Sequence, residues 1–315
     1  MNATPDEITM PGPRVAIIVP TLNAASLWER WVQGMRMQTF VPDQILIVDS
    51  SSTDGTVEKA TAEGYSVHRI DRKDFNHGGT RQLAIDLLDD IDIAVFLTQD
   101  AILVHPDSIK NIVASFEAAD VGMAYGRQLP RQVAGPIEAH ARLFNYPHES
   151  KYQSEADIPR LGLKAAFTSN SFAAYRVAAL KAVGGFPANV IVSEDMHVAA
   201  RMIVAGWRVH YNAEAVVEHS HGYSPWQEFQ RYFDVGAFHA REDWVMGRFG
   251  APHGEGLRFV LSEWRHLGVR QFYLYPSSAL RTVLKLAGYR LGLMEAKVPL
   301  GIKQRVSMQK AFWRA

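Results

Sequence analysis

Cysteine is absent from all 315 positions. That excludes disulfides and thiolate metal sites and fits a reducing, cytoplasmic setting. Basic and acidic residues balance at 33 each, so no overall charge draws the chain to nucleic acid. No apolar run approaches the ~18 residues of a membrane-spanning helix. Residues 1–13 are polar and acidic, lack a signal-peptide pattern, and are expected to form a flexible N-terminus. Internal repeats and low-complexity segments are also missing.

What the chain does have is a series of short apolar runs, each stopped by a polar turn. Val15–Val19 stops at Pro20-Thr21-Leu22-Asn23, Ile45–Val48 at Asp49-Ser50-Ser51-Ser52, and Ile93–Leu97 at Thr98-Gln99-Asp100. Runs of this length read as strands buried on both faces, and the intervening helical stretches make a parallel α/β sheet. Strands are expected at 44–48, 65–70 and 92–97, with helices at 57–62 and 80–88. Two more strands are expected at 207–211 and 215–219, and a mostly helical region beyond Ser224. Residues 127–166, with four prolines, read as a long irregular excursion of functional or disordered type. In open α/β sheets ligands bind at the carboxyl ends of the strands, so the three polar turns form one candidate floor.

Five stretches could carry chemistry. Asp100 ends a buried strand, and magnesium or manganese bound with phosphates needs only one or two protein carboxylates. Asp49 at a strand end could accept the N3–H of a uracil or thymine. His77-Gly78-Gly79-Thr80-Arg81 opens a helix, where close backbone approach, the helix dipole and a guanidinium favour anions. Ser193-Glu194-Asp195 opens another, where an acid could serve as a general base. His219 and His221 lie on one face of an extended segment, suited to joint metal or phosphate contact. Each has a plainer reading as a cap, a turn or a structural histidine.

Taken together, Val19-Pro-Thr-Leu-Asn23, Val48-Asp-Ser-Ser-Ser-Thr-Asp-Gly-Thr56, Leu97-Thr-Gln-Asp-Ala101, Gly184-Gly185-Phe186 and Ser193-Glu-Asp195 resemble the family 2 glycosyltransferases. Phe75–Arg81 and Thr98–Ala101 are most similar to the bacterial rhamnosyltransferases of surface-polysaccharide assembly. The resemblance implies a GT-A fold: a Rossmann-like, mostly parallel sheet flanked by helices, with a helical C-terminal extension. A catalytic domain is expected over 14–222, its nucleotide-sugar half 14–101 and its acceptor half 102–222, followed by a helical region 223–315.

The implied reaction is inverting transfer of a sugar, L-rhamnose from dTDP-L-rhamnose or a sugar from a UDP donor, onto a glycan or lipid-linked acceptor. Pro20, Thr21 and Asn23 would line the nucleotide pocket, Asp49 would hold the pyrimidine, and Arg81 would reach the diphosphate. Ser51, His77, Gly78, Gly79, Thr98 and Gln99 are counted on the same side. Asp100 corresponds to the last acid of an Asp-x-Asp metal motif, joined by His219 or His221 around Mg or Mn. Asp195 corresponds to the base, with Glu194 beside it, and Asn170 and Trp207 are placed on the acceptor side. One departure stands out: Thr98 replaces the first acid of that motif.

Other readings have counter-signals. The turn after the first strand lacks G-x-G-x-x-G, which excludes a dinucleotide oxidoreductase, and lacks the Gly-rich, Arg-containing loop of a nucleotide-sugar pyrophosphorylase. A non-catalytic sugar-nucleotide binder would have no need of Asp195. From Ser277 onward, Arg281, Lys285, Arg290, Lys297, Lys303, Arg305, Lys310 and Arg314 face the single acid Glu295. That excess suggests either peripheral attachment to the anionic inner face of the cell membrane or packing against the catalytic domain or a second copy of the chain.

Overall fold

The computed structural model describes residues 12–250 and 254–314; most of the expected flexible N-terminus lies outside them. The three apolar runs form strands β1 (Val15–Thr21), β2 (Gln44–Asp49) and β4 (Ile93–Leu97), and the partly exposed β3 (Ser66–Arg69) lies between β2 and β4 in the chain. Five more follow: β5 (Ile102–Leu103), β6 (Val121–Leu129), β7 (Lys151–Gln153), β8 (Phe172–Arg176) and β9 (Arg208–Glu218). They make one sheet ordered β3-β2-β1-β4-β8-β6-β9-β5, with β7 also on β9. Alternate residues of β1 serve opposite layers: Ala16 and Ile18 join one apolar cluster, Val15, Ile17 and Val19 the other. This period of two, apolar at every position, is why the run is continuous rather than alternating.

β1 to β4 pair in parallel, as expected. Beyond β4 the sheet is mixed: β8 is antiparallel to both β4 and β6, and β9 is parallel to β6. β6 and β9 therefore run in the direction of β1 and β4, and the start of β8 reaches the same edge as their ends. Moreover, the chain goes from β1 outward to β3 and then returns to the other side of β1. This reversal opens a crevice between the ends of β1 and β4, the position where such sheets bind ligands.

Three sequence expectations are corrected. The strands expected at 207–211 and 215–219 are halves of β9, separated by a register shift against β6 after Gly126. The excursion at 127–166 is ordered: β6 extends through Leu129, and Pro136 sits in the first turn of a helix, Pro136–Asn145, where its missing N–H costs nothing. The helix expected from Thr80 starts at His77, because the Asn76 side chain caps it through Gly79 N at 2.6 Å.

The C-terminal part is helical. Helices Pro225–Arg241 and Tyr275–Leu293 cross backbone to backbone. A Cβ on Gly292 would lie 2.2 Å from the Phe233 carbonyl oxygen, and one on Gly288 2.3 Å from that of Phe229. Among the described residues no helix is long and apolar enough to cross a membrane.

Candidate active site

The exits of β1 and β2 are knitted together by side chains. Asp49 is fully buried. Its carboxylate accepts from Thr21 Oγ1 at 2.9 Å, Ser52 N at 2.8 Å and Ser52 Oγ at 2.5 Å. Asn23, at φ +51°, receives the Thr53 amide on its Oδ1 at 2.9 Å and gives its own amide to Ser52 Oγ at 2.8 Å. Ser51, at φ +65°, donates to the Ile70 carbonyl at 2.9 Å. These contacts build the floor: Asp49 is buried in it, while Asn23 and Ser51 are exposed beside the residues that line the cleft. Pro20, Thr21, Leu22 and Ser50 face it, and the buried Ser50 hydroxyl has no partner among the described residues. Nothing in the sequence singled out Ser50 beside Asp49.

At the β1/β4 crevice, Gln99 behaves as backbone would. Its amide accepts from Leu22 N at 2.7 Å and donates to Leu22 O at 3.1 Å, locking the two strand exits together. Thr98 lies beside it on the cleft wall. Asp100 then meets both histidines that follow β9: His219 Nε2 lies 3.5 Å and His221 Nε2 3.7 Å from Asp100 Oδ2. Ligand atoms of all three lie within 4.8 Å of one another. Burial opposes ionisation of Asp100, but His219, His221 and Thr98 outweigh it and hold the carboxyl well below its usual range. Burial, then His219, pushes His221 down to about 4, leaving the neutral imidazole that a metal ion needs.

The tautomer of His219 follows from a residue the sequence reading missed. Gln128, fully buried at the end of β6, donates from Nε2 to Ser169 Oγ at 2.9 Å and accepts on Oε1 from Arg142 Nη1 at 2.7 Å. The same Oε1 lies 2.9 Å from His219 Nδ1, so that nitrogen carries the proton. In the neutral ring Nε2 then keeps the lone pair that a cation beside Asp100 would use. At 3.5 Å the two suit one shared cation better than they suit each other, since ligand bonds of roughly 2.1 Å at about a right angle separate two donors by about 3 Å. A glutamine ending an otherwise apolar strand is the signal that could have identified this support.

A second set of side chains gathers at the start of the helix Glu194–Val204. Ser193 precedes it at φ +61°, a backbone state that turns the chain sharply and presents Glu194 and Asp195 together. Glu194 Oε1 lies 3.0 Å from Arg81 Nη1, both buried, and accepts from Asn170 Nδ2 at 3.1 Å. Burial opposes its ionisation, but Arg81, then His77 and Asn170, keep its pKa below the ordinary value. Tyr175 in turn donates to Asn170 Oδ1 at 2.6 Å. Glu194 is thus engaged in holding Arg81, and Asn170 is a buried brace rather than an acceptor contact. Gly78 is also structural: a Cβ there would lie 1.8 Å from the Pro187 carbonyl oxygen, and Gly79 N is taken by Asn76.

Asp195 is different. It is half-buried on a cleft wall, and its oxygens accept from Asn170 N at 3.0 Å and Met196 N at 2.8 Å. Burial and the Glu194 charge push its pKa up to about 6, against those two amides and Arg81. It is a carboxylate poised to take a proton.

Two clefts flank these groups. One, of about 1070 Å³, is bounded by the β1, β2 and β4 exits, Asp100, Arg81 and His77. The other, of about 790 Å³, is bounded by Asp195, Ser169, His219, His221, Arg142 and Arg231. His77 borders both. Trp207 borders neither; it precedes β9, at the far edge of the sheet, roughly 30 Å of strand away from His219. Its expected acceptor contact is therefore not part of this geometry.

Comparison with known proteins agrees with this architecture. Over residues 13–233 the chain matches the family described as Glycosyltransferase like family 2. It is 47% identical over 301 residues to the O-antigen chain rhamnosyltransferase RfbN of Salmonella typhimurium, covering 95% of this chain and 96% of that one. It is 45% identical over 302 residues to the O-antigen chain rhamnosyltransferase WbaN of Salmonella anatum, covering 96% of each. The mannosyltransferase PcManGT of Pyrobaculum calidifontis, solved with GDP-Man and Mn2+, superimposes with a TM-score of 0.56 at 20% identity, covering 96% of this chain and 85% of that one. S. aureus TarS 1–349 gives 0.51 at 16% identity, covering 90% and 91%. The last two share the GT-A type of fold, and with the family match and the near full-length relatives they establish that this chain belongs to glycosyltransferase family 2.

Proposed function

We propose that this chain is an inverting rhamnosyltransferase that moves L-rhamnose from dTDP-L-rhamnose onto a glycan or lipid-linked acceptor during O-antigen assembly. The observation that carries the reading is 47% identity to an O-antigen chain rhamnosyltransferase over 95% of the chain. The site supports it: a half-buried carboxylate and a triad suited to a cation stand on two adjacent clefts. The donor occupies the cleft at the β1, β2 and β4 exits, with the pyrimidine at the β1/β2 end, where Ser50 rather than Asp49 presents a hydrogen-bonding group. The acceptor enters the Asp195 cleft.

Asp195 takes the proton of the acceptor hydroxyl as that oxygen attacks the anomeric carbon. The bond from that carbon to the diphosphate oxygen breaks, its electron pair leaves with the diphosphate, and the configuration inverts. Asp100, His219 and His221 would hold a divalent cation, which supplies positive charge opposite the departing diphosphate. Two imidazoles and one carboxylate suit manganese better than magnesium, which prefers all-oxygen ligands. A turnover and binding screen of dTDP-, UDP- and GDP-sugars, each with Mn2+, Mg2+ or chelator, tests the reading. Preferential turnover of dTDP-rhamnose with Mn2+ is expected; a preference for a GDP-sugar overturns it.

The C-terminal helices favour a second element, docking on an anionic bilayer. Not all the expected bases are available: Arg281 and Lys285 pair with Glu228, and Lys303 with Glu295. Arg290, Lys297 and Arg305 remain exposed, beside exposed Leu280, Val283, Leu286, Leu293, Leu300 and Ile302. An apolar face among bases, each contributing about 1 kcal/mol near anionic lipid, suits an interfacial helix pair. The full chain is expected to float with phosphatidylglycerol liposomes and less with phosphatidylcholine. Absence of flotation at low salt, with a dimer in solution instead, would assign this face to a second copy.

A further inference from the structure

The donor cleft has a wall that no motif suggested. Gln309, Ala311, Phe312 and Trp313, at the end of the chain, border the same cavity as Thr21, Ser50 and Asp100. The segment is anchored from the helix Pro225–Arg241. Asp234 Oδ2 accepts from Met308 N at 2.9 Å and Gln309 N at 3.3 Å, and Gln230 donates to the Arg305 carbonyl at 3.1 Å. Gln304 Nε2 then donates to the Trp313 carbonyl at 3.1 Å.

The Trp313 ring is well held but its polar group is not. The residue is 5% exposed and packs with Val190, Ile191, Phe233 and Phe238, yet its indole N–H has no acceptor among the described residues. Buried indole N–H groups normally find a partner. On the same cleft Ser50 Oγ and Arg81 Nε share this unmet capacity. Charge points the same way. Lys303 Nζ lies 4.7 Å from the Trp313 ring centre, Arg241 borders the cavity too, and among the described residues Glu295 is the one carboxylate that either ion-pairs with. Two cations against one carboxylate leave one net positive charge on this wall.

We propose that residues 309–313 belong to the donor-binding site, with the Trp313 indole N–H donating to an oxygen of the nucleotide sugar and the Arg241–Lys303 pair drawing in its diphosphate. The inference rests on the donor assignment above. It makes the C-terminal segment, though remote in sequence from every motif, a determinant of donor affinity.

Calorimetric titration of the full chain with dTDP-rhamnose, with dTDP and with thymidine, in the presence of Mn2+, tests it. Trp313→Phe keeps an aromatic ring in the buried cluster but removes the N–H along with part of the indole. It is expected to raise the dTDP-rhamnose Kd roughly three- to tenfold, the worth of one hydrogen bond, with the chain still folded and its thermal midpoint lowered by only a few degrees. Lys303→Gln leaves Arg241 and Glu295 as a neutral pair and is expected to weaken dTDP while leaving thymidine unchanged. Wild-type donor affinity in both variants overturns the proposal, and tighter binding in either would make the segment a plug instead of a wall. A wild-type chain that binds no dTDP- or UDP-sugar would refute the donor assignment itself, before either variant is measured.

Discussion

Asp195→Asn is expected to lower turnover by about 10²- to 10⁴-fold, the usual contribution of a positioned base, while leaving the donor Kd close to wild type. The substitution is nearly isosteric. The amide oxygen can still accept from Asn170 N or Met196 N, which now hold the carboxylate at 3.0 and 2.8 Å, but it cannot take a proton. Donor affinity should persist because Asp195 borders the other cleft. Single-turnover kinetics with saturating donor separates the two effects, and an Asn variant with wild-type turnover would remove the base from Asp195.

The pH profile gives an independent check. A base must be ionised, and burial together with Glu194 raises the Asp195 pKa from an ordinary carboxylate value to about 6. Activity is therefore expected to be full above that point and to fall tenfold per unit below it. An acid limb near 4 would mean that the acting carboxylate is not this one. Glu194 cannot substitute, because Arg81 and Asn170 already occupy it.

The contrast between these neighbouring acids shows what sequence could and could not convey. Position along the chain identified both, since a helix start following a sharp turn puts two acids at one place. Which of them is free depends on Arg81, more than 110 residues earlier, and on Asn170, and no local pattern reports such a partner. Asp49 shows the same limit. Strand-end position was legible, but the inward turn of its side chain is set by Thr21 and Ser52. β1, β2 and β4 were legible because burial on two faces leaves an unbroken apolar run, whereas β3 is a short edge strand with no buried residue, placed by the helix that precedes it. β9 was read as two strands because its register shift lies in the middle, where Asn212 and Glu214 interrupt the apolar pattern. The C-terminal wall had no signal at all: Phe312 and Trp313 look like any apolar terminus until the chain folds back on the donor cleft.

Asp100→Asn is expected to abolish metal-stimulated turnover, a loss of about 10²-fold or more, because it removes the one carboxylate of the triad. The departure at Thr98 makes this substitution more severe than in a site with two acids. Here the other ligand candidates are His219 and His221, neutral donors that add no charge to oppose a divalent ion. Gln128→Leu separates ligand from support. It keeps all three candidates but frees His219 Nδ1 from its 2.9 Å contact, so the ring can take the other tautomer and present a proton where the metal would sit. Loss of such an outer contact typically weakens metal affinity about 10- to 100-fold. Titration of Mn2+ against turnover should therefore shift to higher metal concentration in Gln128→Leu and vanish in Asp100→Asn. A wild-type manganese response in Asp100→Asn would mean that the triad is a hydrogen-bonded cluster and that the diphosphate is neutralised by cations of the protein alone.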